Sequence, residues 1–116
     1  MKKTNILIFT EDVLAFAKKF NIPSIPEAYP NGLYEAIAGA FDGDKYTVSA
    51  AGVENVTETI TPEILEQTDV LIWWGHAEHH LVPDHIAELV AKEVQKGMGF
   101  IALHSAHLAK PFTRLT

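Results

Sequence analysis

Cysteine is absent from the sequence. Its absence removes disulfides, thiolate catalysis and sulfur-ligated zinc, and it suits a reducing compartment such as the cytoplasm. Long apolar runs are missing too. No stretch approaches the roughly 18 residues of a membrane span, and the apolar segment after residues 1–5 is too short for a signal peptide. Basic charge is scarce: nine Lys and Arg stand against fifteen Asp and Glu, for a formal net charge of −6. With the basic residues scattered, there is no face to neutralise phosphates, which argues against a nucleic-acid partner. Repeats, low-complexity tracts and charge blocks do not occur. What remains is a chain of 116 residues, 47% hydrophobic, enough for one domain built on one core.

The apolar residues are arranged as short strands that stop in polar segments. Val70-Leu71-Ile72-Trp73-Trp74 is apolar without alternation, the pattern of a central parallel strand buried on both faces. It ends in Gly75-His76-Ala77-Glu78-His79-His80. Downstream, Phe100-Ile101-Ala102-Leu103 runs into His104-Ser105-Ala106-His107, and upstream Ile6-Leu7-Ile8-Phe9 ends at Thr10-Glu11-Asp12. In an open parallel sheet the C-terminal strand ends are where ligands bind. All six histidines fall between positions 76 and 107, and four of them, His76, His79, His104 and His107, sit at two such ends.

Between these strands the pattern is helical. Val13 to Phe20 supplies one or two turns, and the prolines of Asn21-Ile22-Pro23-Ser24-Ile25-Pro26 then predict an irregular loop over the same sheet edge. Tyr29-Pro30-Asn31-Gly32 reads as a helix start with Asn31 as N-cap, followed by Leu33, Ile37 and Phe41 at a spacing of four. Asp42-Gly43-Asp44 closes that helix. Tyr46, Val48 and Ala50 then alternate with polar residues, as in a strand near the sheet margin. Thr61-Pro62-Glu63 opens a brief helix ending by Gln67. Pro83-Asp84 opens a longer one, with Ile86, Leu89, Val90 and Val94 on one face and Gly97 as a left-handed C-cap. The sum is β-α-β-α-β-α-β, a doubly wound or flavodoxin-like α/β sheet with helices on both faces. Such sheets usually have five or more strands, so residues 1–116 read as a single domain lacking its C-terminal part. The exposed sheet edge this leaves favours self-association, and thus a homo-oligomer.

Several residues could carry chemistry. Converging imidazoles from two adjacent strand ends suit zinc or another borderline divalent ion, which makes His76, His79, His104 and His107 the candidate metal ligands. The same histidines could instead hydrogen-bond turn carbonyls or sugar hydroxyls. Ser105 stands where a strand meets a helix, as in a nucleophile elbow, although the glycines that usually flank such a serine are absent; an N-cap or ligand-binding hydroxyl is the other reading. Glu11 and Asp12 either serve the site or cap the following turn. One of Trp73 and Trp74 belongs to the core and the other could floor a pocket. His80 and His85 read as solvated, and Lys110 and Arg114 as solvated or as attracting an anionic or polyol ligand.

Two blocks resemble a known family. Trp73-Trp74-Gly75-His76-x-x-His79-x-x-Val82-x-Asp84 and Gly97-Met98-Gly99-Phe100-Ile101-Ala102-Leu103-His104-Ser105-Ala106-His107-x-x-Lys110-x-Phe112 are similar to the trehalose-utilisation (ThuA-like) proteins. Glu11 and Tyr29-Pro30-Asn31-Gly32 extend the likeness over nearly the whole chain. The resemblance implies a class I glutamine-amidotransferase-like fold of flavodoxin type, with Ser105 in the place of the usual cysteine nucleophile. It further implies a role in disaccharide or keto-sugar metabolism, with a small-molecule sugar as partner and no nucleotide cofactor. Carried over by position, Glu11, His76, His79, His104, Ser105 and His107 form the pocket; Glu11, His76, His104 and Ser105 are its candidate catalytic residues. Thr10, Leu14 and Tyr34 depart from the family pattern, which commonly has Asn at the first position and His near the other two. A non-catalytic sugar- or metal-binding module or inactive fragment, and an amidotransferase-like hydrolase using Ser105, are the alternatives. The metal reading predicts near-stoichiometric divalent ion in the purified chain, lost in a His76→Ala, His104→Ala double variant; elemental analysis of both proteins, with circular dichroism to confirm folding, checks it.

Overall fold

A computed structural model describes residues 3–75, 79–103 and 109–115. Four strands form one parallel sheet: β1 (Thr4–Thr10), β2 (Tyr46–Gly52), β3 (Val70–Trp73) and β4 (Gly99–Ala102), in the spatial order β2-β1-β3-β4. The first connection moves to one side of β1 and the next two move to the other. Right-handed crossovers then require helices on opposite faces of the sheet. That arrangement is found. The helix α3 (Leu33–Ala38) precedes β2, and its Tyr34, Ile37 and Ala38 pack with Phe41 against Ile6, Ile8 and Ile72 on one face. On the other face, α4 (Val56–Thr59), α5 (Pro62–Glu66), α6 (Asp84–Gln95) and α7 (Lys110–Leu115) enclose Leu7, Phe9, Leu71 and Trp73 with Val56, Leu65, Ile86, Val90 and Phe112. This is the doubly wound, flavodoxin-like winding expected from the sequence, with its reversal of direction between β1 and β3.

The central strands are buried on both faces because the helices leave no wet side. Ile6, Leu7, Ile8 and Phe9 are all buried, as are Leu71, Ile72 and Trp73. Phe9 and Trp73 are paired residues on β1 and β3, and their rings stack at 3.8 Å with an 18° interplanar angle. The marginal strand, which pairs only with β1 among the described residues, alternates from residue 46 to 49, with Thr47 and Ser49 exposed; the pattern breaks at Ala50, which is exposed too, before the buried Ala51.

Capping chemistry sets several of the helix limits. Thr61 accepts the Ile64 N–H at 3.2 Å, with Pro62 at the first helical position. The end of α6 has both bonds of a Schellman closure, Met98 N–H to the Glu93 carbonyl at 3.0 Å and Gly97 N–H to Val94 at 3.0 Å. Gly97 takes φ +120°, a conformation that an L side chain resists. Met98 is thereby turned into the core at the start of β4.

Three local expectations are corrected. Residues 24–28 form a short helix, α2 (Ser24–Ala28), rather than an irregular loop. Pro26 is its third residue, where the missing N–H would have had no partner within the helix, so the proline is tolerated. Gly32, not Asn31, is the N-cap of α3, and that helix stops at Ala38 instead of running to Phe41. The helix α4 is not expected from the sequence, being too short to show a 3.6-residue period, whereas α7 is the helix expected after the last strand.

The stacked Phe9–Trp73 pair predicts a large cost for truncation. Trp73→Ala should lower unfolding free energy by about 3–5 kcal/mol, read as a fall in the urea midpoint at unchanged slope.

Candidate functional site

The reversal between β1 and β3 opens a crevice at the C-terminal ends of these strands, and the residues that leave them meet there. Pairing continues one residue past β3, with Trp74 N–H donating to the Phe9 carbonyl at 2.9 Å and Leu103 N–H to the Trp73 carbonyl at 3.0 Å. Glu11 leaves β1 and Gly75 leaves β3 side by side as a result. The two acids after β1 have separate tasks. Asp12 caps α1 (Val13–Phe20), its Oδ1 accepting the Ala15 N–H at 3.0 Å, and is exposed. Glu11 is only 6% exposed. Burying a carboxylate is costly unless hydrogen bonds or a nearby charge offset its desolvation.

Gly75 fixes how closely the site's groups approach. A β-carbon there would stand 2.9 Å from His79 Cε1, 3.0 Å from His79 Nδ1 and 3.1 Å from Glu11 Oε2. An imidazole and a buried carboxylate thus close on the same point, across a backbone that has room only for hydrogen. Gly75 does not have positive φ. Space, not conformational freedom, is what the glycine supplies. His79 begins a short turn, His79–Leu81, and is half-buried.

Beside this pair lies a cleft of about 370 Å³ lined by Glu11, Asp12, Val13, Phe16, Ile22, Ile25, Tyr29, Leu33 and Trp74. The adjacent tryptophans divide as strand geometry dictates, since successive side chains take opposite directions. Trp73 enters the core and Trp74 lines the cleft. Seven of the nine lining side chains are apolar or aromatic and two are carboxylates, in a volume within the usual range for ligand sites.

Glu11 and His79 are therefore brought together. His76, His104, Ser105 and His107 lie outside the described residues, while Gly75 and Leu103, which precede two of them, are at the same sheet edge. His80 and His85 are exposed, as expected. Lys110 and Arg114 pair with Asp84 at 2.9 Å and Glu88 at 2.6 Å. The spacing of four on both helices makes these two rungs between α7 and α6 at the surface.

The sequence reading overlooked Gly75, Tyr29 and Phe16. A glycine between a fully apolar strand and a polar run was the available signal for close backbone approach, and Tyr29 stands in a block that resembles the family; Phe16 carried no signal, because only folding places its helix over the crevice. A family model described as ThuA, trehalose utilisation, matches residues 6–116. No curated protein matches the chain.

Gly75→Ala should separate site from fold. The atoms a methyl group would meet are the ends of movable side chains, so stability should fall by no more than about 1 kcal/mol. Glu11 and His79 must shift, however, and ligand binding should drop at least tenfold; urea unfolding and calorimetric titration with trehalose measure the two effects separately.

Proposed function

This chain belongs to the trehalose-utilisation (ThuA) family, and we propose that it acts in disaccharide or keto-sugar metabolism through the crevice between β1 and β3. The family fold is the class I glutamine-amidotransferase-like variety of the flavodoxin-like sheet. The observation that carries the reading is the convergence of the buried Glu11 carboxylate and the His79 imidazole on Gly75, beside a cleft walled by Trp74. A sugar ring presents apolar C–H faces and a rim of hydroxyls. Trp74 provides a flat apolar surface for the first, and the carboxylates and imidazole provide partners for the second.

The chemistry follows from the two titratable groups. A carboxylate and an imidazole at one point make an acid–base pair, suited to moving a proton at a carbon next to a carbonyl. Glu11 accepts or returns that proton and His79 polarises or protonates the oxygen. His76 and His104 follow β3 and β4 in the chain and extend the acid–base set, and Ser105 orients the substrate. The donor types also fit a divalent metal: a carboxylate and an imidazole suit zinc. His79, joined by His76, His104 and His107, would hold such an ion, which would supply charge stabilisation for a developing enolate.

One observation favours the second reading, a sugar-binding module without turnover. At Tyr34, near which histidine is common in the family, the side chain hydroxyl donates to the Val48 carbonyl at 3.4 Å and serves packing of α3 on β2. The setting is a protein in which no helix among the described residues is long and apolar enough to cross a membrane.

Proton exchange separates the readings. In deuterated water, the chain should catalyse exchange at the carbon adjacent to the carbonyl of a keto-disaccharide, followed by NMR. Glu11→Gln should slow that exchange by about 10²–10⁴-fold with binding retained within a few-fold. Binding without exchange in the unmodified chain would instead establish the module, and exchange indifferent to Glu11→Gln would remove Glu11 from the chemistry.

A further inference from the structure

The segment between α1 and α3 is held to the molecule by the cleft. Of residues 21–31 only Ile22 and Ile25 are even half-buried, and both line the cleft, as does Tyr29 at 40% exposure. None of these residues joins either core, and the short helix within the segment, α2, rests chiefly on α1. Its backbone bonds stay local too: Ile22 N–H donates to the Ala17 carbonyl at 2.9 Å, Tyr29 N–H to the Ile25 carbonyl at 2.8 Å and Gly32 N–H to the Tyr29 carbonyl at 3.0 Å. A groove of about 580 Å³ adjoins the cleft, sharing Asp12 and Phe16 with it and adding Phe20, Glu54 and Leu81, and no residue from 21 to 31 lines that groove.

Both ends of the segment turn on positive-φ backbone. Asn21 has φ +53° and is the only described residue other than glycine with positive φ, and Gly32 has φ +89°. Residues at the ends of elements are where hinges absorb a change of dihedral angle. A segment with little buried apolar surface and an exposed backbone opens at low cost. Tyr29 is the one polar side chain that the segment turns to the cleft. Tyr34 commits its hydroxyl to the Val48 carbonyl and Tyr46 packs edge-on to Phe41, whereas the Tyr29 hydroxyl has no hydrogen bond to any described residue. It is also a donor in a lining short of donors. Ionised Glu11 and Asp12 only accept, and Tyr29 and Trp74 carry the only side-chain donors among the nine lining residues.

We propose that residues 22–31 are a strap that closes over a sugar bound in the Glu11–Trp74 cleft, and that the Tyr29 hydroxyl is the strap's hydrogen-bonding contact with that sugar. This rests on the sugar reading of the cleft. A sugar hydroxyl both donates and accepts; the carboxylates take its proton side and Tyr29 supplies the donor for its lone pairs. Closure pivots at Asn21 and Gly32, lays Ile22 and Ile25 over the ligand, and shuts water out of the space beside Glu11 and His79. The bound sugar replaces the missing core contacts as what holds the segment down.

Calorimetric titration of the full chain with trehalose, joined to amide hydrogen exchange read by mass spectrometry, tests both parts. With saturating trehalose, protection of residues 22–31 should rise at least about tenfold more than that of residues 110–115, which pack on α6 and do not line the cleft. Tyr29→Phe should weaken trehalose binding by about three- to tenfold, and Tyr29→Ala should weaken it further; the position is exposed, and circular dichroism confirms folding. Among the monodeoxy trehaloses, one should bind the unmodified chain more weakly than trehalose does, yet bind Tyr29→Phe as well as trehalose does, because the missing hydroxyl is the partner of Tyr29. Trehalose binding with unchanged exchange at 22–31 would overturn the strap. Full affinity in Tyr29→Phe, or losses that add for every monodeoxy analogue, would overturn the contact. In each of these cases the sugar reading survives; if trehalose does not bind at all, the strap falls together with the disaccharide reading.

Discussion

The contact on which the rest depends is the pairing of β1 with β3 around the Phe9–Trp73 stack. These strands are neighbours in the sheet although 60 residues of chain separate them, and their rings meet at 3.8 Å in the larger of the two cores. Their pairing makes the chain change direction, β2 lying on one side and β4 on the other. A parallel sheet wound both ways has a crevice at that reversal, with no crossover helix to close it. The site is thus a consequence of topology before it is a set of side chains.

The same contact explains why adjacent residues take such different roles. Phe9 is in the core and Glu11, two residues on, is at the crevice; Trp73 is in the core and Trp74 lines the cleft. Alternation of side-chain direction enforces the division of the two tryptophans, whereas Glu11 is at the crevice because it lies just past the end of β1. Asp12 shows the complement. Its carboxylate caps α1, which fixes the helix carrying Phe16 and Phe20 above the sheet edge. A capping bond of ordinary strength therefore orients one wall of both spaces.

Much of this was legible in the residues. The unalternating runs at 6–9 and 70–74 marked buried parallel strands, the Thr61-Pro62-Glu63 and Pro83-Asp84 signals located two helix starts, and Gly97 marked a left-handed closure. Each is a local rule, satisfied by a few neighbouring residues and independent of the remainder of the fold. The errors were local too, but in cases where two rules compete. Pro26 breaks helices in their interior and is harmless in their first turn; Asn31 and Gly32 are both acceptable caps, and the chain used the second. Lys110 and Arg114 read as solvated or as ligand cations in the sequence, and folding sets α7 beside α6 and pairs them with Asp84 and Glu88.

By itself, the sequence determined the fold class, the strands and the edge at which polar residues gather, because hydrophobic periodicity and capping act over distances of a few residues. Only the tertiary structure decided that Glu11 and His79 share one point against Gly75, that Tyr29 and Phe16 join Trp74 around a cleft, and that Phe20 and Leu81 face a common groove. Those meetings join segments distant in the chain. They are fixed by the order of the strands, and no local pattern of residues encodes that order.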